Sequence, residues 1–142
     1  VVASAFEGMV SGSSVANTVG SGSVTIPVMK SIGYKSEFAA AVEAAASTGG
    51  QIMPPIMGAA AFLMSEITGI PYVTIAVSAI LPAVLYFTGI YIAVHLEAKK
   101  LGLKGIPREE LPKFGVLFKK IYLLAPLVVL VVLVLLFGKL VF

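Results

Sequence analysis

The sequence predicts an all-α membrane protein with a re-entrant helical hairpin, a discontinuous transmembrane helix and further transmembrane helices. Three observations predict it. First, 58% of the 142 residues are hydrophobic and 12% are charged, about half the charged share of an average soluble domain, and the mean hydropathy is +1.03. Second, the stretch Glu43 to Gly58, EAAASTGGQIMPPIMG, places Gly49, Gly50, Pro54 and Pro55 between two apolar segments too short to span a bilayer singly. Third, the basic residues cluster in loops that fall on one side of the expected spans.

Residues 1–35 read as the hairpin. Val1 to Val10 is apolar apart from Ser4 and Glu7 and forms its first arm. Ser11 to Gly22, SGSSVANTVGSG, is the polar tip, and a second short helix is expected to begin near Asn17 or Thr18 and run to about Ile32. One continuous small-residue helix packed against its neighbours is the alternative, because Gly, Ser and Thr also serve helix contacts. Gly33 and Tyr34 then turn the chain.

Residues 36–70 read as the discontinuous helix, broken at 47–55. Its first half is Ser36 to Ser47 and its second half Ile56 to Thr68. Unpaired backbone in hydrocarbon costs several kcal/mol per group unless protein, water or an ion satisfies it. A break at membrane depth is therefore expected to line a cavity or bind something, the usual mark of a secondary transporter's site. Residues 71–98 form an uninterrupted span with Pro82 inside it; 99–120 form a basic cytoplasmic or interfacial linker; 121–142 form a last apolar span.

Nine of the ten basic residues lie in the Lys30–Lys35 and Glu97–Lys120 loops, while the loop from Ser65 to Tyr72 carries none. The positive-inside rule makes the basic side cytoplasmic. The chain starts and ends within apolar pattern and reads as a fragment of a larger membrane protein.

Both polar breaks offer helix C-termini with carbonyls and helix N-termini with amides. Carbonyl and hydroxyl oxygens suit a hard monovalent cation such as Na⁺, and amides suit a carboxylate. The candidate Na⁺ ligands are Ser13, Ser14, Asn17, Thr48, Gly49 and Gly50. The candidate substrate contacts are Asn17, Thr18, Gln51 and Ile56. Each of these side chains can equally serve as a helix cap or packing contact. Glu43, inside the broken helix, reads either as a functional carboxylate or as a structural hydrogen-bond acceptor, and Glu7 reads the same way with a poorer position. His95 falls at the membrane edge and reads as interfacial.

Enzymatic chemistry is not expected. GSGSV lacks the Lys-Ser/Thr of a phosphate-binding loop, no His/Asp/Glu cluster has metal-ligand spacing, and cysteine is absent. A Ser–His dyad would need His95 to reach Ser13 or Ser14 from the membrane edge. No cofactor and no nucleic-acid partner is expected.

SGSSVANTVGSGSVTIPVMKSIGY followed by FAAAVEAAASTGGQIMPPIMGAAAFLM resembles the large membrane subunit of tripartite ATP-independent periplasmic (TRAP) transporters. It is most similar to the fused permeases that work with TAXI-type binding proteins. The resemblance covers Phe6 to Leu101. It implies one inverted repeat of an elevator-type transporter, holding a hairpin and a broken helix. It also implies Na⁺-driven uptake of an organic acid across the bacterial or archaeal cytoplasmic (inner) membrane. The implied partners are a periplasmic substrate-binding protein, a small membrane subunit or its fused equivalent, and the rest of the permease. The SSVANT tip is also similar to the Ser-Asn-Thr tips of divalent-anion sodium symporters, with Ala16 where those carry Ser. Two alternatives stand beside the TRAP reading: such a symporter working without a binding protein, and a non-transporting membrane assembly subunit.

Overall fold

A computed structural model describes residues 1–104 and the isolated positions 122, 125, 128, 129, 132 and 133. Six helices follow one another: α1 (Val2–Ser11), α2 (Ser14–Gly20), α3 (Gly22–Ile32), α4 (Ser36–Gly50), α5 (Ala59–Thr68) and α6 (Tyr72–Lys100).

The first turn is tighter than the expected polar tip. α1 stops at Gly12, whose left-handed φ of 61° lets its N–H close back on the Gly8 carbonyl. Ser13 then caps α2, its hydroxyl accepting from the Ala16 amide at 3.3 Å. Helix therefore resumes at Ser14, ahead of the expected start near Asn17 or Thr18, because Ser13 supplies the cap that ends the turn. α2 passes into α3 through Ser21, whose backbone remains right-handed helical; its N–H reaches the Asn17 carbonyl, and the Thr25 N–H returns to the Ser21 carbonyl. Most of residues 11–22 is thus helix. Gly33, at φ 115°, ends α3.

The helix interruption also lies later than expected. α4 continues through Gly49 and Gly50, and the non-helical segment runs from Gln51 to Gly58, not over 47–55. Gly49 and Gly50 do not unwind the chain. Their missing side chains let neighbours approach: a Cβ on Gly49 would lie 2.5 Å from the Tyr86 ring, and a Cβ on Gly8 would lie 2.8 Å from the Gly50 Cα. The prolines, which cannot donate to a helix, break it instead. The second half begins at Ala59 rather than Ile56, with Gly58 as its N-cap.

α4 is the centre of the assembly, with α1, α2, α3 and α6 all packed on it. Apart from Val42 and Met57, the buried residues are small or polar, among them Ala39, Ala46, Ser47, Gly49 and Gly50 from α4, Ser4 and Gly8 from α1, and Asn17 from α2. Small side chains let helices approach closely, a mode suited to lipid, where apolar side chains gain little by leaving the solvent. The large apolar side chains face outward, among them Val15, Val19, Ile67 and Leu81, leaving an apolar surface that water does not satisfy.

Among the described residues α6 alone is long and apolar enough to cross a membrane, with a mean hydropathy of 2.0 in its most apolar window. It extends past the expected end at residue 98 to Lys100, and Lys99 and Lys100 occupy its last turn, where cations complement the helix dipole. The rest of the basic linker beyond Lys104, and the last span 121–142 apart from its isolated positions, lie outside the described residues.

Candidate ion and substrate site at two chain interruptions

The turn at Gly12–Ser13 and the interruption at Gln51–Gly58 meet. The Gln51 side-chain amide donates to the Gly12 carbonyl at 3.4 Å, and a Cβ on Gly12 would lie 2.7 Å from the Met57 carbonyl oxygen. Only a glycine fits there, on both backbone angle and space. Met57 itself is non-glycine at φ 61°, a backbone state more common at functional sites than elsewhere.

From this junction the expected ligands separate, and the structure brings only some of them together. Ser14, Thr18 and Thr48 line one open groove of about 280 Å³, together with Val15, Val19 and Ala44. Thr18 donates its hydroxyl proton to the Ser14 carbonyl at 2.7 Å and Thr48 donates to the Ala44 carbonyl at 2.8 Å. Each proton is thus committed to its own helix, and the hydroxyl oxygens keep lone pairs that a cation can use.

Asn17, on the same helix as Ser14 and Thr18, does not line this groove and is fully buried at 0% exposure. Its Nδ2 donates to the Ser4 carbonyl at 2.8 Å and to the Ser47 hydroxyl at 2.9 Å. Its Oδ1 is buried and finds no partner among the described residues. Such an atom is rare in a folded protein and calls for an explanation, a water or an ion included.

Ser13 serves as the α2 cap. The α4 terminus closes with short-range bonds, in which the Thr48, Gly49 and Gly50 carbonyls accept from the Gln51, Ile52 and Met53 amides at 3.1, 3.1 and 3.2 Å. The oxygens of Gly49 and Gly50 are therefore engaged once each, with one further lone pair apiece. Ile56 stands apart from the groove. Its carbonyl, with that of Pro55, accepts the Tyr72 hydroxyl, at 2.6 and 2.8 Å respectively, and its amide precedes α5 rather than opening it. The amide at Thr18 likewise lies inside α2 and not at its N-terminus.

A polar centre that pattern reading only touched upon surrounds Glu43, which is 1% exposed. Four hydroxyls converge on its carboxylate: Ser4 at 2.8 Å and Thr25 at 2.5 Å on Oε2, and Ser21 and Ser47 on Oε1, Ser47 at 3.3 Å. They come from α1, the α2–α3 junction, α3 and α4, so one side chain ties four pieces of chain together. The sequence held a signal in its helical spacing. Ser4 and Gly8, Asn17 and Ser21, Ser21 and Thr25, and Glu43 and Ser47 are i,i+4 pairs, each a short polar or small stripe on one face.

Small-residue helix packing, an outward-facing apolar surface and one long apolar helix point to a helical membrane protein. A family model described as "Tripartite ATP-independent periplasmic transporter, DctM component" matches residues 1–139, and the chain belongs to that family. No curated protein matches the chain, and no solved structure does. The protein is accordingly a non-enzymatic permease component of a TRAP transporter, working in membrane transport within a tripartite system that includes a DctP binding protein and a DctQ subunit.

Proposed function

We propose that this permease component couples inward Na⁺ movement to uptake of an organic acid delivered by a periplasmic binding protein. Two observations carry the reading: Ser14, Thr18 and Thr48 line one groove with neutral oxygens, and the buried Asn17 Oδ1, on the same helix as Ser14 and Thr18, has no partner among the described residues. Neutral oxygens from hydroxyls, carboxamides and carbonyls are ligands for a hard monovalent cation. The Gly49 and Gly50 carbonyls and the Ser13 hydroxyl complete the candidate cation set. Gln51, bridging to Gly12 at the junction, is the side chain best situated to meet a carboxylate.

In this reading α1 to α3 form a re-entrant hairpin opening to the cytoplasm, and α4 and α5 cross the cytoplasmic membrane as one interrupted helix. The chain supplies one of two inverted repeats of an elevator-type carrier. The basic linker and a further span fit a fused permease working with a TAXI-type binding protein.

The test is uptake by the complete transporter in proteoliposomes, with and without an inward Na⁺ gradient and its binding protein, using radiolabelled mono- and dicarboxylates. Accumulation that requires both is expected. Equal accumulation with choline in place of Na⁺ would remove the coupling ion from the reading, and accumulation without the binding protein would favour a free-standing symporter.

A further inference from the structure

Glu43 is buried, and through one hydroxyl it reaches Asn17, whose own Oδ1 has no partner among the described residues. Asn17 lies between two neighbours, the Ser4 carbonyl and the Ser47 hydroxyl. The carbonyl can only accept. A hydroxyl can donate or accept, so Ser47 alone would leave the carboxamide free to turn. Ser47 is not alone: its proton is directed to Glu43 Oε1. Both neighbours of Asn17 are then acceptors, and both require the NH₂ end. A flipped carboxamide would set Oδ1 against two acceptors in a buried site, where an unpaired polar contact is costly.

We propose that Glu43 is a positioning residue: acting through Ser47, it fixes the Asn17 carboxamide so that Oδ1 is the atom left open. This rests on the reading of Asn17 as a Na⁺ ligand. The other three hydroxyls on Glu43 hold the carboxylate in place, with Ser21 sharing Oε1 and Ser4 and Thr25 on Oε2. A glutamine at position 43 would offer an NH₂ group in place of one oxygen. Turned toward Ser47, that group would reverse the hydroxyl and release Asn17.

The experiment uses the purified full-length permease in detergent. Its melting temperature is followed as NaCl replaces choline chloride at constant ionic strength. Ser47→Ala and Glu43→Gln are each expected to raise the Na⁺ concentration for half-maximal stabilisation about tenfold, the change expected for losing one well-placed ligand. The double variant should shift no further than either single one, because both break the same link. Thr25→Val removes a hydroxyl from Oε2 and leaves the Oε1–Ser47–Asn17 line whole; its Na⁺ curve should match that of the wild type. Should Glu43→Gln fail to fold, Ser47→Ala alone decides. A wild-type Na⁺ curve in Ser47→Ala, or an equal shift in Thr25→Val, would overturn the proposal in favour of a network that only holds helices together. A wild-type protein indifferent to Na⁺ would instead sink the Na⁺ reading. Amide exchange over residues 14–20 in choline chloride then judges the link: faster exchange in Ser47→Ala but not in Thr25→Val sustains it, and equal exchange in all three proteins overturns it.

Discussion

Gly8 and Gly50 bring α1 and α4 into backbone contact: a Cβ added to Gly8 would lie 2.8 Å from the Gly50 Cα and 3.2 Å from Asn17 Nδ2. The closest contact is backbone on both sides, so the helices themselves must part. Gly8→Ala and Gly50→Ala are each expected to destabilise the protein by about 1–3 kcal/mol, the usual cost of overpacking. Gly89→Ala, on α6 with nothing within 4 Å of its added Cβ, should do the reverse and gain about 0.5–1 kcal/mol from helix propensity. Thermal unfolding of the three purified variants in detergent checks this, and equal behaviour would mean that the α1–α4 contact is looser than described.

The same glycines mark the limit of what the sequence discloses. An interruption near Glu43–Gly58 was legible, because paired prolines cannot continue a helix. Its boundaries were not, because a glycine pair reads alike whether the backbone unwinds or a neighbour presses close. Tyr86 and Gly8 decide the matter, and both lie far away in sequence. The α6 span was legible from its length and composition. Of the candidate ligands, Ser14, Thr18 and Thr48 do share a groove, whereas Asn17 sits one turn inside α2 because Ser13, not Asn17, caps that helix. The convergence of Ser4, Ser21, Thr25 and Ser47 on Glu43 depends on how four segments pack, which their i,i+4 stripes announce only as buried faces.

Tyr72 joins α6 to the interruption. Its hydroxyl bridges the Pro55 and Ile56 carbonyls, and its ring stacks on Phe62 of α5 with centroids 4.6 Å apart. Tyr72→Phe keeps the stack and removes only the hydroxyl. It should cost about 1 kcal/mol and speed amide exchange between Gln51 and Gly58 while leaving α4 and α6 unchanged. Exchange that rises equally along α6 would mean that the hydroxyl supports the helix end rather than the loop.

The distribution of basic residues gives a topological prediction. Thr68 ends α5 in a loop without basic residues, and Lys104 follows the α6 terminus with Lys99 and Lys100. Position 104 should therefore be cytoplasmic and position 68 periplasmic. The chain holds no cysteine, so single cysteines at these positions can be probed in whole cells with an impermeant thiol reagent, provided the rest of the permease is cysteine-free. Labelling at 68 and not at 104 is expected, and the opposite pattern would invert the assigned sides.

Ion coupling offers the sharpest test of the candidate ligands, and Thr48 and Asn17 differ in what else they do. Thr48 is exposed, and its hydroxyl bonds only within its own helix, to Ala44 at 2.8 Å. Thr48→Val keeps the shape and removes one oxygen, so stability should change little. Asn17 is buried and holds both the Ser4 carbonyl and the Ser47 hydroxyl; Asn17→Ala leaves both without that partner and should cost about 1–3 kcal/mol of stability. If both residues bind Na⁺, each loss should weaken the ion site by about 1–2 kcal/mol, or roughly five- to thirty-fold in apparent affinity, since water replaces a neutral ligand in part. Uptake measured against Na⁺ concentration should then shift to higher Na⁺ in both variants, with most of the rate returning at saturation. A shift in Asn17→Ala alone would assign Thr48 to the groove wall. An Asn17→Ala protein with a lower melting temperature and an unshifted Na⁺ curve would make its carboxamide a structural tie between α1, α2 and α4.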